Sequence, residues 1–253
     1  MKLCFMTFVC PSWDLERVVQ FAKETDYDGV EIRVDLGHNH GISSLSSVEE
    51  RLRAKDLFAD AGVEIPCVAS SARLSSPDPE KHVEHLKNAK ADLDLAVDLG
   101  APIVRIFAGK EVPELTTEVA IQVAAAFDEL GAYTEGTGVS PMLECGHDII
   151  IPTDKAAEIV NRITGPNVGA LWNDSNMDDE AYDLLKDRLR HFHVHDEVLD
   201  PENTNILDLA RRMKSHGYTG YVSLEIIWKK DMPEDQLRET GSRLKGYISQ
   251  VYG

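Results

Sequence analysis

The sequence predicts a single (β/α)₈ barrel occupying residues 1–253 as one domain. Three observations lead there. Eight short apolar runs recur at fairly even intervals, separated by amphipathic helical stretches, and strict β–α alternation implies a parallel sheet. A length of 253 residues suits one α/β barrel. The first βα turn, Cys10-Pro11-Ser12-Trp13, carries no GxGxxG and no P-loop motif occurs, which argues against an open nucleotide-binding sheet. No linker, low-complexity segment or long charge run marks a second domain.

The expected strands are Leu3–Val9, Gly29–Val34, Val63–Ala69, Pro102–Phe107, Val139–Glu144, Val168–Trp172, Arg190–His195 and Tyr221–Ile227. Between them lies helix punctuation. Ser47-Val48-Glu49-Glu50 is a capping box, followed by Leu52, Leu57 and Phe58 at helical spacing and closed by Gly62. Pro79 stands at a first helical position, and Gly100 ends the run through Leu86, Ala89, Leu93 and Ala96. Thr116 or Thr117 caps a helix over Val119–Leu130, Thr153 caps Lys155–Ile163, and Pro233 opens the last helix.

Composition narrows the function classes. The net charge is −18 and the pI about 4.8, whereas a protein that neutralises phosphates needs clustered Lys and Arg, so no nucleic-acid partner is expected. Mean hydropathy is −0.25, and no window approaches the roughly 18 apolar residues of a membrane span. Met1–Val9 has a single lysine and no small-residue cleavage site behind it, so it reads as a strand and the protein as cytoplasmic. Cys4, Cys10, Cys67 and Cys145 form no CxxC pattern and read as reduced, mostly buried thiols.

In such a barrel the chemistry gathers at the C-terminal strand ends. Strand five ends in Glu144, strand six runs to Asp174, strand seven delivers His193 and strand eight Glu225. Three carboxylates converging on one rim repel one another and resist desolvation, and a divalent ion relieves this. Three oxygen donors and one nitrogen suit Mn²⁺ best, with Mg²⁺, Co²⁺ or Zn²⁺ as alternatives.

Several motifs resemble those of the xylose isomerase-like barrels of sugar phosphate isomerases and epimerases. Asp28-Gly29-Val30-Glu31-Ile32-Arg33 resembles that family's second strand and Leu99–Ile106 its fourth. His191-Phe192-His193-Val194-His195-Asp196 resembles its HxHxKD seventh strand, and Gly220–Glu225 its eighth. The resemblance spans nearly the whole chain. It implies metal ligands at Glu144, Asp174, His193 and Glu225, and an acid/base role for Glu144 and Glu225. It also implies that Arg33 and Arg105 lie near substrate, and that the protein is a homo-oligomer. Three departures stand out: Met177 replaces a common histidine, His195 replaces the HxHxKD lysine, and residues 196–201 lack the arginine of the ketose 3-epimerase branch.

The expected activity is a metal-dependent isomerisation or epimerisation of a sugar or keto-sugar, by removal of the proton α to a carbonyl through a metal-stabilised enediolate. A lyase of the same barrel family begins with the same step, and a non-catalytic sugar-binding or regulatory barrel with a vestigial metal site is the reading from another class. His147 is a further acid/base candidate or a loop histidine. His195, on the side of His193, is positioned to meet substrate. Lys110 and His38 lie on the active rim, with an exposed loop the plainer reading for His38 and His40. Trp13, Trp172 and Trp228 are candidate walls for a sugar ring, with packing favoured for Trp172. The loops after strands seven and eight offer no glycine-rich phosphate cradle.

Overall fold

Side chains alternate along a strand, so in a closed barrel every second residue enters the axis and the others meet the helices. The protein, described by a computed structural model over residues 1–227 and 231–253, follows this rule. Its strands are β1 (Lys2–Met6), β2 (Gly29–Arg33), β3 (Val68–Arg73), β4 (Ile103–Phe107), β5 (Ser140–Cys145), β6 (Gly169–Asn173), β7 (Leu189–Val194) and β8 (Tyr221–Leu224). They pair in parallel and in chain order, and β8 returns to β1 with Tyr221 opposite Lys2, closing the barrel. Val30, Ile32, Val104, Ile106, Leu143, Phe192 and Val194 pack outward into the main core. Their neighbours Glu31, Arg33, Arg105, Glu144, His191 and His193 are buried as well and face the axis.

Helices α1 (Leu15–Lys23), α2 (Val48–Ala61), α3 (Pro79–Leu99), α4 (Thr117–Tyr133), α5 (Thr153–Val160), α6 (Asp179–Leu185), α7 (Asn205–Ser215) and α8 (Glu234–Tyr252) surround the sheet. The Ser47–Glu50 capping box forms with both reciprocal hydrogen bonds. Gly62 and Gly100 end α2 and α3 at φ 71° and 76°, where a Cβ is strained. Thr116 accepts from Val119 N at the start of α4.

Three expectations are corrected. The third strand is Val68–Arg73 rather than Val63–Ala69: Pro66 has no N–H to give to the ladder, and Glu64 makes only an isolated bridge to Gly29. Thr7–Val9 turns into a 3₁₀ helix instead of prolonging β1. Thr153 is the first residue of α5 and not its cap; Pro152 occupies the cap position, with no side-chain bond. All four cysteines are free and buried. No described helix is long and apolar enough to cross a membrane.

Candidate metal centre

Cys67, Ile103 and Met142 form an apolar plug inside the barrel. Two residues beyond Ile103 and Met142, β4 and β5 present Arg105 and Glu144, and the inward positions turn polar from there on. His193 is the hub. Its Nδ1 lies 3.0 Å from Glu144 Oε1 and 3.1 Å from Glu225 Oε2, and its Nε2 lies 3.1 and 3.2 Å from the two oxygens of Glu31. His191 Nε2 reaches the same Glu31 at 3.0 Å. Arg105 has Nε 3.9 Å from Glu144 Oε2 and Nη2 3.9 Å from Glu225 Oε1.

These charges shape one another. Burial works to strip the proton from His193, but Glu31 and Glu225, with hydrogen bonds to Glu144 and Glu225, hold its pKa well above the usual imidazole value. Burial raises Glu31, and the opposing charges and hydrogen bonds of the two histidines bring it well below the carboxylate range. Glu225 is likewise raised by burial and then drawn down to about 2, chiefly by His193, with help from Arg105 and His195. His191 moves down, because desolvation outweighs its Glu31 partner.

The donor set fits a divalent cation. Glu144, His193 and Glu225 each offer one ligand atom, all within 4.8 Å of one another. Glu144 Oε2 is buried without a hydrogen-bond partner, and Glu225 Oε2 has only the His193 Nδ1 that it shares with Glu144, an unfavourable state for carboxylate oxygens that a cation relieves. Arg105 also stands between the two glutamates and supplies balancing charge. Its Nη1 donates to Ser70 O at 2.9 Å and its guanidinium lies 4.0 Å over the Phe107 ring, which fix it there.

Asp174 lies outside this cluster. Its Oδ1 accepts from Asn176 N at 2.8 Å and Asn176 Nδ2 at 3.2 Å, forming a turn just past β6. Asn173 is the buried residue at that strand end and contacts His195 Nε2. His195 Nδ1 donates to Glu225 O at 2.9 Å, so its ring spans the ends of β6 and β8.

The other sequence candidates separate into rim and scaffold. His147 faces the mouth, 5.1 Å from the Phe107 ring and 3.1 Å from Asp148 Oδ1. Burial lowers its pKa, but the Asp148 hydrogen bond and the Glu144, Asp148 and Glu225 charges raise it overall. Arg33 is buried with its guanidinium on Ala69 O (2.8 Å), Val34 O and Ser71 Oγ (2.7 Å), two backbone carbonyls and a hydroxyl. His38 is half-buried against Phe8 and His40. His40 is buried and anchors its loop through Arg33 O and Ile42 N, which corrects the exposed-loop expectation for it. Lys110 is exposed after β4. Trp13 packs on Phe21 of α1 at 5.1 Å, and Trp172 is buried with Nε1 on Asn176 O, so both are scaffold; Trp228 lies outside the described residues.

Sequence reading gave Glu31 no place in the site. Its signal was a lone carboxylate inside the wholly buried strand Gly29–Arg33. A separate cavity of about 520 Å³ lies among Gly131, Thr134, Ser140 and Asn167, at the opposite end of the barrel from the strand ends that carry function in this fold.

The model of the xylose isomerase-like TIM barrel matches residues 19–247. The chain belongs to that family. Among solved structures it is similar to an IOLI protein with a bound zinc atom, at TM-score 0.81 and 19% identity over 99% of each chain. It is also similar to a D-psicose 3-epimerase with D-tagatose from Clostridium cellulolyticum H10, at TM-score 0.79 and 14% identity over 99% of each chain. A third is the E. coli 3-keto-D-glucoside 4-epimerase YcjR, at TM-score 0.77 and 16% identity, covering 98% of this chain and 99% of that one. No curated protein is matched by sequence. At these identities the solved structures establish the xylose isomerase-like fold alone.

Proposed function

We propose that this barrel is a divalent-metal-dependent isomerase or epimerase acting on a sugar or keto-sugar. One observation carries the reading: two buried carboxylates from well-separated strands meet at a single imidazole nitrogen, which cannot satisfy both. Glu144, His193 and Glu225 would hold the ion, Mn²⁺ by preference, with Asp174 as a fourth donor once it leaves its turn. A bound ion would supply Lewis acidity toward adjacent oxygens of the substrate. The similar structures include two sugar epimerases and a protein with a bound zinc, which accords with this chemistry.

The chain's own groups then divide the proton work. Glu225, drawn down to about 2, is a firm anion at neutral pH and suits cation binding first. Glu144, on β5, is assigned removal of the proton α to the substrate carbonyl. Arg105 faces the same space and favours negative charge developing on the substrate. Return of the proton to the opposite face gives epimerisation, and to the neighbouring carbon gives isomerisation. A positioned acid or base contributes typically about 10²–10⁴-fold.

The test is deuterium incorporation from solvent into a panel of keto-sugars by the Mn²⁺-loaded protein. Wild type exchanges the α-proton, and Glu144→Gln retains metal but loses exchange by at least about 100-fold. Full exchange by Glu144→Gln would remove it as the base. His147 keeps a lyase reading in view, because its partner Asp148 favours the protonated ring at the mouth, where it can act as an acid for a departing β-hydroxyl. Enone absorbance in the same incubations separates the two.

A further inference from the structure

Glu31 lies below the ligands proposed above, and a mid-strand carboxylate with no exposure needs its lone pairs filled by donors. Both histidines of β7 do this. His193 Nε2 approaches both oxygens, and His191 Nε2 approaches Oε2 at 3.0 Å. An ionised carboxylate only accepts, so each imidazole must carry a proton on Nε2; the proton that His193 also directs from Nδ1 to Glu144 is the one a cation would displace. His191 bears this out from the other side of its ring: its Nδ1 is buried and has no hydrogen-bond partner, as expected of a bare nitrogen in the Nε2–H tautomer.

We infer that Glu31 is a positioning residue that fixes the ring and tautomer of His193, so that Nδ1 alone is presented to Glu144 and Glu225, while His191 holds Glu31 in place. The inference rests on the reading of Glu144, His193 and Glu225 as cation ligands. Its geometry is that of a carboxylate behind a metal-binding imidazole, which orients the ring and raises its basicity. A ring flip about Cβ–Cγ would put Cδ2 where Nδ1 meets the two glutamates and Cε1 where Nε2 meets Glu31. Both contacts are lost at once, so the two edges of His193 are not interchangeable.

Glu31→Gln preserves the shape and removes the second acceptor. A glutamine offers one carbonyl to two N–H groups and turns its NH₂ toward the other, donor against donor. Zn²⁺ and Mn²⁺ affinity by calorimetric titration is expected to fall by roughly 10–100-fold. In the Zn²⁺-loaded wild type, ¹⁵N spectra of labelled histidine should show His193 metallated at Nδ1 and protonated at Nε2. Unchanged affinity in a folded Glu31→Gln protein, with wild type binding tightly, overturns the positioning role and leaves the ligand set standing. Absence of metal binding by wild type overturns both. Where Glu31→Gln does not fold, the wild-type spectrum decides: metal at His193 Nε2 sinks the inference.

Discussion

Arg105 Nε stands 3.9 Å from Glu144 Oε2, close enough to balance its charge and too far to hydrogen-bond. Both side chains are buried, and Nε and Nη2 of the guanidinium have no hydrogen-bond partner. Arg105 therefore offsets negative charge while leaving carboxylate lone pairs open. Arg105→Met should cost about 3–5 kcal/mol in the metal-free protein, the usual loss on breaking a buried pair. Saturating Mn²⁺ should recover much of that, because a second cation then serves the same anions. Urea unfolding with and without Mn²⁺ measures both, and an equal deficit in the two conditions would falsify the balancing role.

Asp174 gives a clean separation of ligand from turn former. Asn in its place keeps an Oδ1 for Asn176 N, so Asp174→Asn should shift metal-free stability by less than about 0.5 kcal/mol. If Asp174 is the fourth donor, Mn²⁺ affinity drops by tenfold or more. Unchanged affinity would leave three protein ligands.

Asp92 of α3 predicts a pH effect on stability. Burial, followed by the charge of Asp35, raises its pKa to about 7, and its Oδ2 accepts from Ser70 Oγ at 2.6 Å. The folded state thus holds a proton that the unfolded chain releases near pH 3.8, and stability from this group falls as pH rises from about 4 to 7. Asp92→Asn removes the cost of ionisation. Its stability relative to wild type should be near zero at pH 4 and on the order of 2–4 kcal/mol favourable at pH 8. His40, lowered to about 4 mainly by burial, acts oppositely: the unfolded chain takes up its proton below about 6.5, so acid destabilises. The variant difference, rather than the wild-type profile, is therefore the quantity to measure.

Gly241, midway along α8, is set against Tyr27. A Cβ there would come 2.5 Å from Tyr27 Cε2, and that ring is buried with its hydroxyl donating to Leu237 O at 3.0 Å. Gly241→Ala gains about 1 kcal/mol of helix propensity and meets about 1–3 kcal/mol of overpacking. A net loss near 1 kcal/mol is expected in the urea midpoint; a gain would show that Tyr27 moves freely.

Helix ends were the most legible part of the sequence, because a cap is a local event. Ser47 with Glu50, Gly62 and Gly100 each state their role within four residues. The third strand was less so: Val63–Ile65 looks like a strand, but Pro66 interrupts the ladder, and β3 runs on through an irregularity between Ala69 and Arg73 before pairing with β4 again at Phe107. In the site, Glu144, His193 and Glu225 were readable as strand ends. Asp174 and Asn173 were not separable, since one residue of register decides which side chain enters the barrel and only the loop beyond β6 fixes it. Glu31 escaped because its partners, His191 and His193, lie on the far strand β7.

The hydrogen bond from His193 to Glu31 joins residues 162 positions apart. Glu225 reaches the same imidazole only after nearly the whole chain has been synthesised. No nascent fragment lacking the last quarter can hold the proposed centre together, however well its early βα units are formed. Cation uptake by the proposed centre would then report completed ring closure, and metal given during refolding should bind only after β8 is sealed against β1.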